Sequence, residues 1–293
     1  MEWIRSLLFI PANRQGLLEK IGGLPADAFA LDLEDSVPRG QKDEARAMAS
    51  AQLRVAGRRN CWVRVNGRGS GLFEPDVRAV VGLPRLAGLI LPKIDSGAEL
   101  ENVAAVLSEA ERLSGTQTDA TKLILTLESA LGVLFAYTLV CAHARIASAI
   151  FAGAEDGDLM RDLGCRWSSE GPELLYARQS VLLAMRAAEV ACPLDGVFSN
   201  VRDRHGFETD TLLSARLGYR GRTVIHPDQI EPANRLYAPP AEAVDRYRRL
   251  LRAYEEALDE GKAAVEFEGK MIDEAMARNA RRIISAAESF DSR

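Results

Sequence analysis

The chain has 293 residues, of which 47% are hydrophobic and 27% are charged, a composition typical of globular proteins. Its formal net charge of −5 at pH 7 speaks against nucleic acid as a partner. Its longest apolar run, near residues 146–154, is too short to span a bilayer, so we expect no membrane partner either.

Eight short apolar segments, each ending in polar or turn-forming residues, are predicted to be β-strands. They cover residues 5–11, 29–33, 61–66, 86–94, 122–127, 146–151, 194–199 and 222–225. Helices are predicted at residues 15–21, 41–55, 74–81, 98–113, 131–143, 172–192 and 209–217. Parallel strands need long crossovers, so this alternation predicts a parallel sheet. Eight such units in about 225 residues fit a (β/α)8 TIM barrel better than a doubly wound sheet.

The chain continues past the eighth predicted strand in a segment that is not needed to close a barrel. Residues 241–258 carry an apolar stripe of helical period, and a last helix is predicted over residues 274–289. We therefore expect a catalytic barrel domain over residues 1–238 and a helical extension over residues 239–293. The extension is interpreted as a lid or as an arm that packs on a neighbouring subunit.

The four cysteines form no C-x-x-C pair, and no histidine lies at zinc-ligand spacing from them. Free thiols are typical of a reducing compartment. The first residues lack the basic start and apolar core of a secretion signal. These features predict a cytoplasmic location.

Polar residues follow the predicted strands and should meet at one rim of the barrel, because all the strands run in one direction. They are Asp32, Glu34, Asp35, Arg64, Asn66, Lys93, Glu128, Glu155, Asp156, Asn200, His226 and Asp228. Acids crowded at one rim repel one another unless a cation lies among them, although any single acid could instead pair with a rim arginine. Mg²⁺ prefers oxygen ligands and usually takes one or two carboxylates. Glu128 and Asp156 suit this role best because each follows an apolar strand.

Alternation along the third predicted strand places Arg64 on the same face as Trp62 and opposite to Val63. If the valine faces the helix layer, Arg64 points into the barrel, where a guanidinium needs an anionic partner. Either Glu34 or Asp35 could serve, and so could a carbonyl or carboxylate group of a substrate.

An ordered set of short motifs runs through the chain. They are RSLLFIPANR (5–14), LDLEDSV (31–37) with QK (41–42), VRVN (63–66), LPK (91–93), LES (127–129), GAED (153–156) with DLG (162–164), IHP (225–227) and FEGKMID (267–273). Together they resemble the citrate lyase β-subunit-like branch of the HpcH/HpaI aldolase/citrate lyase superfamily, over about residues 5–280. Malyl-CoA, β-methylmalyl-CoA and citramalyl-CoA lyases belong to this branch.

The resemblance implies a Mg²⁺-dependent TIM barrel, with Mn²⁺ as the alternative ion. Such an enzyme cleaves or forms a carbon–carbon bond in a 3-hydroxyacyl-CoA thioester such as citramalyl-CoA or malyl-CoA. By analogy, Glu128 and Asp156 match the metal ligands, and Arg64 matches the arginine that contacts the reacting carbonyl oxygen. Glu34 and Asp35 are then expected to hold metal-bound waters and to pin Arg64.

The resemblance extends to three residues outside this cluster. Arg14 and Lys42 match basic positions near the CoA phosphates, and Asp273 matches an acid on the C-terminal segment that completes a neighbouring subunit's site. Family members are commonly trimers or assemblies of trimers, which implies a homotrimer or a hexamer. In this chain Glu274 and Ala275 follow the acid, whereas the family usually has a proline soon after it.

Two alternative functions stay open. One is a metal-dependent aldolase that acts on free keto acids, as in the other branch of the superfamily. The other is the β-subunit of a citrate lyase complex that works with an acyl-carrier partner. A non-catalytic barrel is disfavoured because Arg64, Glu128, Asp156 and Asp273 are all present.

Overall fold

The computed structural model describes residues 3–55 and 60–291, and over these residues eight parallel strands close into a barrel in sequence order. The strands are β1 (Ser6–Pro11), β2 (Ala28–Asp32), β3 (Cys61–Arg64), β4 (Leu86–Leu91), β5 (Lys122–Leu127), β6 (Ile146–Phe151), β7 (Leu194–Asp195) and β8 (Gly221–Val224). Strand β8 pairs with β1, with Arg222 opposite Ser6, and this pairing closes the sheet. The predicted (β/α)8 barrel is therefore confirmed.

Helices occupy the crossovers and follow the last strand. They are α1 (Gln15–Leu18), α2 (Lys42–Arg54), α3 (Phe73–Val80), α4 (Gly97–Ser114), α5 (Ala130–Leu134), α6 (Ala136–Cys141), α7 (Asp158–Leu163), α8 (Pro172–Ala187), α9 (Arg204–Leu217) and α10 (Ile230–Tyr237). Helix α4 shows why these segments are helical. It begins with a capping box between Ser96 and Glu99 and ends at Gly115, whose φ of +69° closes the helix. No helix in the described parts of the chain has the length and apolar character that crossing a membrane requires.

The barrel interior is filled by inward-pointing apolar side chains from successive strands. The cluster contains Ile4, Leu7, Ala28, Ala30, Trp62, Ile90, Ile124, Ile150, Cys192 and Leu194. Trp62 is the largest of these side chains, and Gly88 on the neighbouring strand makes room for it. A Cβ atom at Gly88 would lie 2.5 Å from the Trp62 ring and 2.3 Å from the Lys122 carbonyl oxygen. Close packing thus explains a glycine in the middle of β4.

A fully buried ion pair supports the end of the barrel where β5 and β6 begin. Arg145 donates to the two carboxylate oxygens of Glu111 at 2.7 and 2.8 Å, and the backbone N–H of Thr121 donates to Glu111 at 2.7 Å. Burial raises the pKa of Glu111, but the bonds from Arg145 and Thr121 outweigh it and lower that pKa to about 2. This network ties α4 to the starts of β5 and β6, at the opposite end of these strands from the rim acids Glu128 and Asp156.

Residues 236–291 form a second compact unit, which follows the unit that ends at residue 235. It contains α11 (Ala241–Asp259), an antiparallel hairpin of β9 (Val265–Phe267) and β10 (Lys270–Ile272), and α12 (Glu274–Asp291). The core of this unit is formed by Leu250, Tyr254, Ile272, Ala277 and Ala280. The expected boundary after residue 238 and the role as a lid or arm stay predictions.

Several element ends differ from the sequence prediction. Strand β7 stops at Asp195 because the next carbonyl, that of Gly196, accepts from the Arg222 guanidinium at 3.0 and 3.2 Å. The helix predicted over residues 131–143 is divided into α5 and α6 at Phe135. Helix α9 begins at Arg204, five residues before the predicted 209, because the Asp203 carboxylate accepts from the Gly206 N–H and caps it.

Candidate active site

A cavity of about 620 Å³ opens where the strands end, and its wall includes six of the twelve residues that the sequence placed at the rim. Its polar and charged wall residues are Asp32, Asp35, Ser36, Arg64, Lys93, Thr126, Glu128, Asp156, Asp158, Arg161 and Thr223. The volume is sufficient for a small organic ligand. The predicted residues Arg64, Glu128, Asp156 and Asp35 therefore face one common space.

Arg64 is held by Asp32, an acid for which sequence analysis gave no role. The Arg64 Nε and Nη2 atoms donate to the two Asp32 carboxylate oxygens, each at 2.7 Å. These are the last residues of β2 and β3, and they lie opposite each other in the strand pairing. Both side chains therefore point to the same side of the sheet, and the guanidinium also lies 5.2 Å from the centre of the Phe9 ring. The expectation that Glu34 or Asp35 supplies the anionic partner was incomplete.

Asp32 is held in turn by its own loop. It accepts from the backbone N–H of Glu34 at 2.9 Å, from the backbone N–H of Ser36 at 3.1 Å and from the Ser36 hydroxyl. Burial raises the pKa of Asp32, but the hydrogen bonds and charge of Arg64 outweigh it, so the pKa lies below its ordinary value. Burial likewise acts to lower the pKa of Arg64, but the hydrogen bonds and charge of Asp32 outweigh it and raise that pKa. The pair is therefore ionised and rigid.

Glu34 and Asp35 contribute weaker contacts to the remaining nitrogen of Arg64. Nη1 lies 3.1 Å from a Glu34 oxygen and 3.3 Å from an Asp35 oxygen. Burial, together with the negative charges of Asp35 and Glu128, raises the pKa of Glu34 to about 7 in spite of Arg64. The acids at this rim thus exceed what one arginine can neutralise.

Glu128 and Asp156 lie at the same cavity on consecutive strand ends. Glu128 is half-buried and accepts the backbone N–H of Lys93 at 2.9 Å. Burial raises the pKa of Glu128, and the Lys93 N–H only partly offsets this effect. Asp156 is exposed and has a left-handed backbone with φ of +57°. Lys93 has a left-handed backbone as well, with φ of +45°, so two uncommon backbone conformations flank the cavity.

The donor set fits a hydrated divalent cation. Burial raises the pKa of both Glu34 and Glu128, and the charge of Asp35 adds to the effect at each, so a nearby cation would favour the ionised carboxylates. Across residues 3–55 and 60–291, no three side chains of His, Cys, Asp or Glu converge as a complete ligand set. Mg²⁺ suits this arrangement because it takes few carboxylates and keeps several waters. Glu128 and Asp156 would be its protein ligands.

A second cavity of about 590 Å³ shares Asp35 and Lys93 with the first. Its other charged wall residues are Glu34, Arg39, Lys42, Arg68 and Glu99. The Lys42 ammonium donates to the backbone carbonyls of Leu33 and Glu34 at 2.7 and 2.6 Å, so it also fixes the loop after β2. The described residues on the walls of the two cavities do not include Arg14, which lies exposed at the start of α1.

Two other predicted rim or site residues have local roles in the structure. Asn66 is buried, and its backbone N–H and side-chain amide donate to one Asp76 oxygen at 2.9 and 2.7 Å. Strand β3 ends at Arg64, and Asn66, two residues further on, lies on the wall of the second cavity and not of the first. Asp273 belongs to the second unit, where it is exposed and accepts the Met276 N–H at 3.2 Å at the start of α12.

A closed (β/α)8 barrel with an oriented arginine and several acids at the carboxyl ends of its strands has the architecture of a barrel enzyme. The model of the family described as HpcH/HpaI aldolase/citrate lyase matches residues 5–227. The chain belongs to this family, and it is a lyase.

Individual relatives cover nearly the whole chain. Citrate lyase subunit beta of Leuconostoc mesenteroides subsp. cremoris is 32% identical over 285 residues, which are 97% of this chain and 93% of the relative. A (3S)-malyl-CoA thioesterase of Cereibacter sphaeroides is 31% identical over 288 residues, which are 98% of this chain and 95% of the relative. Among solved structures, Mycobacterium tuberculosis CitE in complex with magnesium, acetoacetate and coenzyme A has a TM-score of 0.74 at 26% identity, over 97% of both chains.

Proposed function

We propose that this chain is a Mg²⁺-dependent lyase that breaks or forms a carbon–carbon bond in a 3-hydroxyacyl-CoA thioester, with an acyl-CoA and a keto acid as the cleavage products. The observation that carries the proposal is the shared cavity, in which Arg64 is clamped on Asp32 and faces the space bordered by Glu128 and Asp156. The relatives support the class of substrate, because one is a malyl-CoA thioesterase and one was solved with magnesium and coenzyme A.

The residues of the cavity divide the chemistry between them. Mg²⁺ held by Glu128 and Asp156 would supply Lewis-acid polarisation of the keto acid's carbonyl group. Arg64 stabilises the thioester oxygen, on which negative charge develops when the carbon–carbon bond breaks and an enolate forms. Asp32 keeps the guanidinium in place through two hydrogen bonds, so little reorganisation is needed during the reaction. Glu34 and Asp35 complete the anionic surroundings of Arg64, and they would accept hydrogen bonds from waters on a bound ion.

The second cavity suits the remainder of a CoA ester. Arg39, Lys42 and Arg68 place positive charge along its wall, and Asp35 and Lys93 belong to the walls of both cavities, so the two adjoin as a ligand with a long thioester arm requires. Phosphate groups are bound by such cations, which would offset the net negative charge of the chain locally. Arg14 is proposed as a further contact for phosphate at the exposed start of α1.

Asp273 is proposed as the carboxylate that transfers the proton at the acyl carbon. Asp273 is exposed directly before α12, as a carboxylate that serves another subunit must be. The proposal includes a homotrimeric or hexameric assembly in which the C-terminal unit serves a neighbouring subunit. It also includes a cytoplasmic location.

A second candidate function is the β-subunit of a citrate lyase complex that uses an acyl-carrier partner. The 32% identity to a citrate lyase subunit beta over nearly the full chain favours it. A metal-dependent aldolase for free keto acids is a weaker candidate, because Arg39, Lys42 and Arg68 on the wall of the second cavity would then have no role.

The decisive experiment supplies malyl-CoA, β-methylmalyl-CoA, citramalyl-CoA and 3-hydroxy-3-methylglutaryl-CoA to the purified chain, with Mg²⁺ or with EDTA. Free keto acid, acyl-CoA and CoA are quantified by chromatography. We expect at least one ester to be cleaved with Mg²⁺, and no turnover in EDTA. Glu128→Gln should abolish turnover, whereas Glu109→Gln, which removes an equal charge from the exposed face of α4, should leave it unchanged.

Other outcomes separate the candidates. Turnover that persists in EDTA would overturn the metal claim. Aldol cleavage of free hydroxy-keto acids, without any reaction of the CoA esters, would favour the aldolase. Turnover only of a citryl group on an acyl-carrier protein would favour the complex subunit.

A further inference from the structure

Lys93 has an unusual backbone for a residue with a side chain. It directly follows Pro92 at the end of β4, and its φ of +45° lies in the left-handed region. Non-glycine residues seldom adopt this region, and doing so costs free energy unless the surrounding structure fixes the conformation. The conformation therefore points to a local requirement.

The left-handed conformation directs the Lys93 backbone N–H towards the Glu128 carboxylate. This N–H donates to the Glu128 Oε1 atom at 2.9 Å, across from the end of β4 to the end of β5. A carboxylate with one oxygen fixed in this way cannot rotate freely, and it presents its other acceptor sites to the cavity in a defined direction.

The side chain of Lys93 reaches the next strand end in the other direction. Its ammonium forms an ion pair with Asp158, the first residue of α7, and Arg161 pairs with the same acid. Asp158 lies two residues after Asp156 on the segment that follows β6. One residue thus connects, by backbone and by side chain, the two segments that carry the proposed metal ligands.

We propose that Lys93 is a positioning residue for the divalent-cation site, orienting Glu128 through its left-handed backbone and restraining the Asp156 segment through its ammonium. This inference rests on the proposed function, because it assumes that Glu128 and Asp156 bind Mg²⁺. We expect the backbone of Lys93 to affect Mg²⁺ affinity more than its side chain does. The side chain is 57% exposed, and exposed ion pairs contribute little free energy.

Substitutions at this one position separate the two contributions. Glycine and asparagine accept a left-handed backbone and keep the N–H, but they lack the ammonium. Valine lacks the ammonium as well, and its β-branched side chain disfavours positive φ. Mg²⁺ binding to the substrate-free protein is measured by titration calorimetry for each variant, with circular dichroism as the check on folding.

We expect Lys93→Gly and Lys93→Asn to weaken Mg²⁺ binding by less than about fivefold. Lys93→Val should weaken it by about 10- to 100-fold, as is usual when a partner that orients a metal ligand is lost. If the valine variant does not fold, Lys93→Ala is measured in its place. Its affinity for Mg²⁺ should lie between that of the glycine variant and the value expected for the valine variant. In steady-state assays the KM for Mg²⁺ should rise more than kcat falls.

The outcomes distinguish a failure of the positioning role of Lys93 from a failure of the proposed metal site. If the unmodified protein binds Mg²⁺ and Glu128→Gln does not, the metal site stands. In that case equal affinities of the glycine and valine (or alanine) variants would overturn the positioning role. If the unmodified protein and Glu128→Gln bind Mg²⁺ equally, or neither binds it, the proposed site and the role of Lys93 are both overturned.

Discussion

Replacement of Asp32 by asparagine removes the clamp on Arg64 with almost no change in shape. The Asp32 side chain is 1% exposed and accepts from two nitrogen atoms of Arg64. It also accepts from the Glu34 N–H, the Ser36 N–H and the Ser36 hydroxyl. Asparagine keeps one acceptor oxygen, and its amide NH₂ would face some of these donors.

Removal of one partner from a buried ion pair costs about 3–5 kcal/mol, because the other charge stays buried. Arg64 retains Glu34 at 3.1 Å and Asp35 at 3.3 Å, so we expect the lower end of that range, about 3 kcal/mol. The side chain of Asp35 is 75% exposed, and its loss should cost less than about 1 kcal/mol. Asp35→Asn is therefore the matched control.

The assay is urea unfolding at pH 7.5, with the midpoint and the slope of the transition fitted for both variants. We also expect Asp32→Asn to lower kcat, since a guanidinium free to move no longer meets the enolate oxygen in a fixed position. The reasoning is refuted if the free energy of unfolding of Asp32→Asn lies within about 1 kcal/mol of that of the unmodified protein.

The remaining predictions concern Arg64, Glu111 and Asp273. Arg64→Lys keeps the charge but cannot reproduce the two-point contact, so kcat should fall by about 100-fold or more; unmodified rates would contradict its role. The folded-state pKa of Glu111, about 2, lies below its ordinary value of 4.5, so the free energy of unfolding should decrease as the pH falls from about 4.5 to 2. In acid titrations of urea stability Glu111→Gln should show a smaller decrease than Glu109→Gln, because only the first lacks the contribution of Glu111, and identical profiles would contradict the assignment. Mixing inactive Arg64→Ala with inactive Asp273→Ala protein should restore activity if the acid serves a neighbouring subunit, and no recovery would place it in the same chain.

The barrel could be predicted from sequence because each of its strands and helices is indicated by the residue pattern of its own short segment. Each strand is an apolar run, each crossover contains a helical pattern, and a carboxylate such as Glu128 stands immediately after its strand. The gathering of Arg64, Glu128 and Asp156 at one cavity then follows from parallel strand direction alone.

The supporting contacts could not be predicted in the same way, because they depend on register and backbone conformation. Asp32 and Arg64 face each other only because the pairing of β2 with β3 sets them opposite. The positions of Asp32 and Arg64 at the ends of neighbouring strands indicate this pairing, but the prediction named Glu34 or Asp35 as the partner. Nothing in the Leu91–Lys93 motif reveals that the Lys93 backbone turns left-handed to reach the carboxylate after β5.

The central claim is that Glu128 and Asp156 hold a divalent cation beside Arg64. Crystals grown with Mn²⁺ in place of Mg²⁺ test it most directly, because Mn²⁺ gives an anomalous signal and takes the same oxygen ligands. We expect one strong anomalous peak in the cavity, about 2.1 Å from a carboxylate oxygen of each acid. A protein that lacks this peak at millimolar Mn²⁺, or that binds the ion at other residues, would contradict the account.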